Sequence, residues 1–275
     1  MSEEKEVSTG GRSAADVKDA VKDRYGGIAR QAMFTSSCCG PSASCGCGPS
    51  GASQASADLG YDPAELAALP PGADMGLGCG NPIALAGMKE GDVVVDLGSG
   101  AGIDCFLAAR RVGRDGRVIG VDMTPEMIAR AGMNAIQGGF GNVEFRLGEL
   151  EDLPVEDATA DWVVSNCVIN LVPDKAKAFA EACRVLKPGG RLAVSDIVLT
   201  APLPEEVRGS VEAYTGCIAG ASMKDEYLAM MSDAGFSSVE VVGESDYGEM
   251  AAAWMGEEAR EIGSGVKSIK VVAAK

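Results

Sequence analysis

A chain of 275 residues, 46% of them hydrophobic, is long enough for one sizeable α/β core, or one core plus a small appendage. Its net charge of −16 disfavours nucleic acid and anionic membrane surfaces as partners. It has no histidine, and its nine cysteines are an odd number that excludes a complete set of intramolecular disulfides.

Residues 1–25 are charged and helix-permissive, with a short helix expected over 14–25. The N-terminus is acidic and lacks the apolar segment of a secretory signal, and no apolar run reaches the ~18 residues of a membrane span. A reducing, cytoplasmic location is therefore expected, with the cysteines as thiols. Residues 35–57 are rich in Gly, Ser and Pro and read as a mobile loop exposing Cys38, Cys39, Cys45 and Cys47. From residue 90 onward strands and helices alternate. Strands are expected at 92–97, 117–122, 143–147, 161–167 and 191–198, and late strands at 238–242 and 268–273. Helices are expected at 103–112, 125–137 (with Thr124 as N-cap), 174–186 (stopped by Lys-Pro-Gly-Gly) and 224–234 (closed by Gly235). The alternation implies βαβ units and a mostly parallel sheet, with a closing antiparallel pair at the end. The chain divides into an N-terminal helix and Cys/Gly/Ser-rich loop (1–58), a cofactor-binding domain (59–200), and a cap region with the closing strands (201–275).

Gly98, Gly100 and Gly102 form a Gly-x-Gly-x-Gly turn between a strand and a helix, which lets the backbone approach a ligand closely. Asp122 ends the next strand, at about the offset where an acid accepts from ribose hydroxyls. Asp96 lies two residues before the first glycine. A carboxylate there repels a pyrophosphate but suits an ammonium or sulfonium, favouring S-adenosylmethionine over NAD. Alternatively, Asp96 caps the turn's own amides. After the third strand, Glu149 is placed to accept from an adenine amino group and the Leu150 amide to donate to the ring; Glu149 reads equally as a solvated loop acid. Val95-Asp96-Leu97-Gly98-Ser99-Gly100-Ala101-Gly102, Gly120-Val121-Asp122-Met123 and Leu186-Lys187-Pro188-Gly189-Gly190 resemble the class I S-adenosylmethionine-dependent methyltransferases over roughly residues 80–200. That resemblance implies a Rossmann-like, mostly parallel seven-stranded sheet with helices on both faces and a small C-terminal insertion.

Cys79, Cys167 and Cys217 stand alone and far apart. Cys167 ends the fourth strand, at the sheet edge where ligands bind in open α/β folds. Taken singly, each is more often a small buried hydrophobe, and Cys105 and Cys183 are read that way. Zinc sites favour C-x₂₋₄-C pairs, a spacing the trio lacks and only the 38/39/45/47 cluster approaches. Three scattered thiolates suit a soft, pyramidal centre such as trivalent arsenic. Its lone pair would need no base, in keeping with the absence of histidine.

Gly76-Leu77-Gly78-Cys79-Gly80-Asn81-Pro82, Ser165-Asn166-Cys167-Val168-Ile169-Asn170-Leu171 and Gly216-Cys217-Ile218-Ala219-Gly220-Ala221 resemble the arsenite methyltransferases, over about residues 60–245. The resemblance implies that Cys79, Cys167 and Cys217 bind arsenic, with Cys38 or Cys39 as a further redox thiol. It implies a cofactor site of Asp96, Gly98, Gly100, Gly102, Asp122, Met123, Glu149, Leu150 and Asn166, and thioredoxin or glutathione as electron donor. A monomer is expected. The alternatives are a methyltransferase for a quinone or sterol carbon, and a non-catalytic thiol protein that binds metalloids.

Overall fold

The structure is a computed structural model that describes residues 13–35, 50–203, 205–247 and 265–275; Cys38, Cys39, Cys45 and Cys47 lie outside the described residues. Seven strands form one sheet: β1 (Val93–Leu97), β2 (Arg117–Asp122), β3 (Val143–Leu147), β4 (Ala160–Asn166), β5 (Leu186–Leu199), β6 (Ser238–Asp246) and β7 (Val266–Ala274). Their order is β3-β2-β1-β4-β5-β7-β6. Every pair from β3 to β5 is parallel, and β7 runs antiparallel to both β5 and β6. The chain winds outward from β1 in one direction and from β4 in the other, so the crevice above their carboxyl ends is the topological switch point.

The central strands are apolar because helices cover both faces. Alternation along β1 sends Val94 to a core beneath α4 (Ile103–Val112), and Val95 and Leu97 to a core beneath α6 (Lys175–Val185) and α9 (Lys224–Asp233). Tyr227 and Met231 of α9 are fully buried, and Tyr227 meets Phe179 edge-on at 5.1 Å, so these α9 side chains serve packing. A third apolar cluster holds Val17 and Val21 of α1 (Ala14–Thr35), Tyr214 of α8 (Val211–Thr215), and Cys79, Cys167 and Cys217.

Four elements differ from the sequence expectation. Helix α1 runs on to Thr35, past Gly26 and Gly27, because Val17, Val21 and Ala29 are buried against the body of the protein, and packing outweighs two poor helix formers. The end of the expected 35–57 loop forms helix α2 (Ser50–Asp58), anchored where the Ser56 hydroxyl donates to Asp74 at 2.7 Å. Lys187-Pro188-Gly189-Gly190 does not separate helix from strand; it is the start of β5, with Leu186 opposite Ala160 and a register shift beyond. Thr124 precedes α5 (Pro125–Gly138), but its side chain makes no capping bond. Its amide instead donates to Asp122 Oδ1 at 2.8 Å.

Candidate active site

A cleft opens above the β1/β4 switch point. Asp96, Gly98, Gly100, Asp122, Met123, Leu150, Asn166 and Cys167 line it. Gly98 adopts φ +69° against Val168, where a Cβ would overlap the valine side chain. Gly102 lies just behind the cleft as the first residue of the α4 turn, at φ +100° over the Phe106 ring. Asp122 Oδ2 accepts the Gly100 amide at 3.0 Å, so the carboxylate at the end of β2 holds the turn in shape.

Glu149 is placed differently from the expectation. It pairs with Lys18 of α1, a cleft-lining residue, at 2.7 Å, and Lys18 also reaches Glu151 at 2.9 Å. The Lys18 hydrogen bond holds the Glu149 carboxyl below its ordinary range. Glu151, which the sequence reading passed over, lines the cleft in its place.

Two carboxylates share the floor. Asp96 accepts from the Cys105 thiol at 3.1 Å, which gives Cys105 a polar partner as well as a packing role. Asp104, in the first turn of α4, accepts from Tyr61 at 2.7 Å and from Asn166 at 3.1 Å. Among the described residues neither acid has an ion-pair partner. The Ser99 hydroxyl, inside the turn, is buried without a partner. A glycine cradle, an orphaned hydroxyl and two buried acids without an ion-pair partner among the described residues fit an adenosyl cofactor that carries positive charge, and fit a pyrophosphate poorly.

Cys167 lines this cleft, and Cys79 and Cys217 are buried in the same cluster beside it. Cys79, Cys167 and Cys217 are 4%, 7% and 4% exposed. Sγ of Cys79, Sγ of Cys167 and a carboxylate oxygen of Asp196 lie within 4.8 Å of one another. The Cys217 thiol donates to the Cys167 carbonyl at 3.0 Å and the Cys79 thiol to the Ser195 carbonyl at 3.4 Å, and both thiols act on the ionisation of Cys167. Tyr25 of α1 covers the group, its hydroxyl donating to Thr215 O at 3.2 Å and hydrogen-bonding to Cys217. All three are free thiols, as are Cys105 and Cys183.

Cys167 and Cys217 hold left-handed backbone, at φ 58° and 68°. Among the described residues the only other non-glycine with positive φ is Ala158. A side chain costs roughly 1–2 kcal/mol there, so a thiol is kept where glycine would fit better. Cys217→Gly should therefore be more stable than Cys217→Ala by about 1 kcal/mol in urea unfolding. Cys79, which lacks positive φ, should show no such preference for glycine; the same order at both sites would mean the strain is not local.

Burial pushes the Cys79 thiol up to about 11. Cys167 also lies well above the ordinary thiol value: its bond with Cys217 favours the thiolate, but the bond with Cys79 and burial outweigh it. Cys217 is raised by its bond to Cys167 and then by burial. The raised values favour the protonated thiols at pH 7. That suits a neutral thiophilic ligand, whereas a dication requires thiolates and releases protons on binding.

Asp196 sits behind the thiols, fully buried, with Asn170 and the Ile197 amide on Oδ1, both at 2.8 Å, and Tyr227 on Oδ2 at 3.0 Å. Burial raises it to about 7, Asp104 to about 6, and also raises Asp96 and Asp122 from the ordinary 3.8. Between 3.8 and about 6 for Asp104, and 3.8 and about 7 for Asp196, the unfolded chain has shed the proton while the folded chain retains it. Stability should thus fall as pH rises through these windows, by up to about 1.4 kcal/mol per pH unit for each retained proton. Urea midpoints of the ligand-free protein at pH 5 and 7.5 test this, and Asp196→Asn should flatten the slope. Stability that rises with pH would contradict it.

The structure therefore brings most of the expected cofactor residues and Cys167 along one cleft, with Cys79 and Cys217 buried beside Cys167 and Glu149 paired with Lys18 at the rim. Asp104 was missed in the sequence, where its only local signal is an acid in the first turn of the helix after the glycine turn. Tyr61, Tyr25 and Lys18 lie in segments without a motif, and nothing local in the sequence marks them.

Residues 88–235 match the family model described as a methyltransferase domain. A protein of Halobacterium salinarum named arsenite methyltransferase is 45% identical over 282 aligned residues, covering 100% of this chain and 71% of that protein. The human protein of the same name is 38% identical over 174 residues, covering 60% of this chain and 46% of its own length. Among solved structures, an arsenic(III) S-adenosylmethionine methyltransferase from Chlamydomonas reinhardtii superposes with a TM-score of 0.63 at 33% identity. That match covers 76% of this chain and 72% of the algal chain.

Proposed function

Since the chain belongs to the arsenite methyltransferase family of S-adenosylmethionine-dependent methyltransferases, we propose that it methylates trivalent arsenic held by Cys79, Cys167 and Cys217, a detoxifying reaction. The observation that carries this reading is that Cys79, Cys167 and Cys217 are buried in one cluster, with Cys167 opening onto a cleft that fits an adenosyl cofactor.

Asp96, Gly98, Gly100, Asp122, Met123 and Leu150 would hold the cofactor, with Asn166 between it and the thiols. When bound, S-adenosylmethionine supplies an electrophilic methyl group, which the arsenic lone pair takes. The protein's share begins with ligand exchange. Each As–OH bond is replaced by an As–S bond as a thiol proton leaves in water, so neutral thiols load arsenous acid with no net proton release. A thiol conjugate of arsenite exchanges in the same way, returning the carrier thiol. The thiolates then fix the arsenic and point its lone pair along the cleft. Positioning of this kind contributes up to roughly 7–11 kcal/mol, and no proton need be removed from the acceptor. Tyr25 and Val21 of α1 line the cleft on this side.

Methylation leaves arsenic formally pentavalent. Two thiols return two electrons and become a disulfide, which thioredoxin or glutathione reduces. Cys79 and an upstream thiol, Cys38 or Cys39, are the pair in this reading. The working unit is a monomer in the reducing cytoplasm. No helix among the described residues is long and apolar enough to cross a membrane.

The test is transfer of label from methyl-labelled S-adenosylmethionine to arsenite with a thiol reductant. Labelled methylarsenicals are expected. Absence of product from protein that binds both ligands would overturn the reading.

A further inference from the structure

The amide of Asn166 sits between the two halves of the cleft. Its Nδ2 lies 2.9 Å from the Gly80 carbonyl, 2.9 Å from the Tyr61 hydroxyl and 3.1 Å from Asp104 Oδ2. Its Oδ1 accepts the Cys79 amide at 3.1 Å. The Cys79 carbonyl is held as well, by Ser268 at 3.0 Å. Gly78 passes so close that a Cβ there would lie 2.6 Å from Asn166 Nδ2. The backbone that aims the Cys79 thiol is thus built around one side-chain amide.

Only one orientation of that amide serves. With Oδ1 toward the Cys79 N–H, the amino group faces the Gly80 carbonyl, the Tyr61 oxygen and Asp104. Flipped, it would oppose N–H to N–H at Cys79 and oxygen to oxygen at Gly80 and Asp104. Tyr61 donates to Asp104 Oδ1 at 2.7 Å, which leaves its oxygen to accept from Asn166 and reinforces the same choice. The acid thus governs the amide's orientation from the cofactor side, and it is buried without an ion-pair partner among the described residues.

We infer that Tyr61 and Asp104 are positioning residues that couple cofactor occupancy to the placement of Cys79. A cation in the cleft beside Asp104 stabilises its carboxylate and strengthens both hydrogen bonds it accepts, as charge-assisted bonds are stronger than neutral ones. The Asn166 amide is then locked in the orientation that places Cys79. Cofactor and arsenic should therefore bind with positive cooperativity, and reciprocity requires the same factor in both directions. The inference rests on the function proposed above but adds a route that reaches the arsenic site through residues touching no arsenic.

The experiment titrates sodium arsenite into the full-length protein by calorimetry, in a phosphine reductant, with and without saturating S-adenosylhomocysteine, which permits no turnover and keeps the ammonium. Wild type is expected to bind arsenite at least about fivefold tighter with the cofactor product present. Tyr61→Phe preserves the ring and should still bind each ligand alone within about threefold, with the coupling factor reduced toward 1. Asp104→Asn should lose coupling too. A merely structural role would weaken both ligands and leave the ratio intact. Coupling unchanged in Tyr61→Phe, or wild-type binding that is independent, would overturn the inference while leaving the proposed function standing. Failure of wild type to bind arsenite at all would overturn both.

Discussion

Cys167→Ser and Cys217→Ser should each lower arsenite methylation by more than about 10²-fold, because a centre held by too few thiolates is free to shift by an ångström or more from its line of attack. Serine keeps the size of the side chain but offers a hard oxygen in place of a soft sulfur. Both cysteines lie at the carboxyl side of the sheet, where the chain leaves β4 and where α8 ends, and neither contributes a hydrogen bond to the glycine turn. Affinity for S-adenosylhomocysteine should therefore stay within a few-fold, which also reports that the variants fold. The measurement is initial rate with labelled cofactor, alongside calorimetry for the cofactor product. Turnover retained in either variant would remove that thiol from the mechanism.

Asp122→Ala should do the reverse. Its carboxylate accepts the Gly100 amide at 3.0 Å and the Thr124 amide at 2.8 Å, so it shapes the cofactor turn as well as offering oxygens to a ribose. Hydrogen bonds to a charged group are worth about 1.5–3 kcal/mol, so cofactor affinity should fall roughly 10- to 150-fold. Arsenite affinity measured without cofactor should not change, since no Asp122 hydrogen bond reaches the thiol group. Asp122→Asn keeps one acceptor and should fall in between. Equal loss of both ligands would mean that Asp122 supports the fold as a whole.

The sheet was readable because its signals are local. Short apolar runs ending in glycines, and helices of ten or so residues between them, fix the strand positions, and βαβ connections leave few topologies. The scattered cysteines were readable for a different reason: the family resemblance linked segments far apart in sequence that periodicity alone does not connect. What stayed hidden depends on contacts made only in the folded state. Glu149 reads either as an adenine acceptor or as a solvated loop acid by its position after β3, and its ion pair with Lys18, more than a hundred residues earlier, has no local signal. Tyr61 and Asp196 carry no motif, and their importance comes from burial against Asn166 and the thiols. The left-handed backbone at Cys167 and Cys217 was equally out of reach, since nothing about a cysteine announces positive φ.

The central claim is that Cys79, Cys167 and Cys217 hold one arsenic atom together. X-ray absorption at the arsenic edge tests it most directly, on the full-length protein loaded with one equivalent of arsenite in a phosphine reductant. The account predicts a first shell of three sulfurs in wild type, and two sulfurs with one oxygen in Cys79→Ser. A wild-type shell dominated by oxygen, or a three-sulfur shell unchanged in Cys79→Ser, would contradict it.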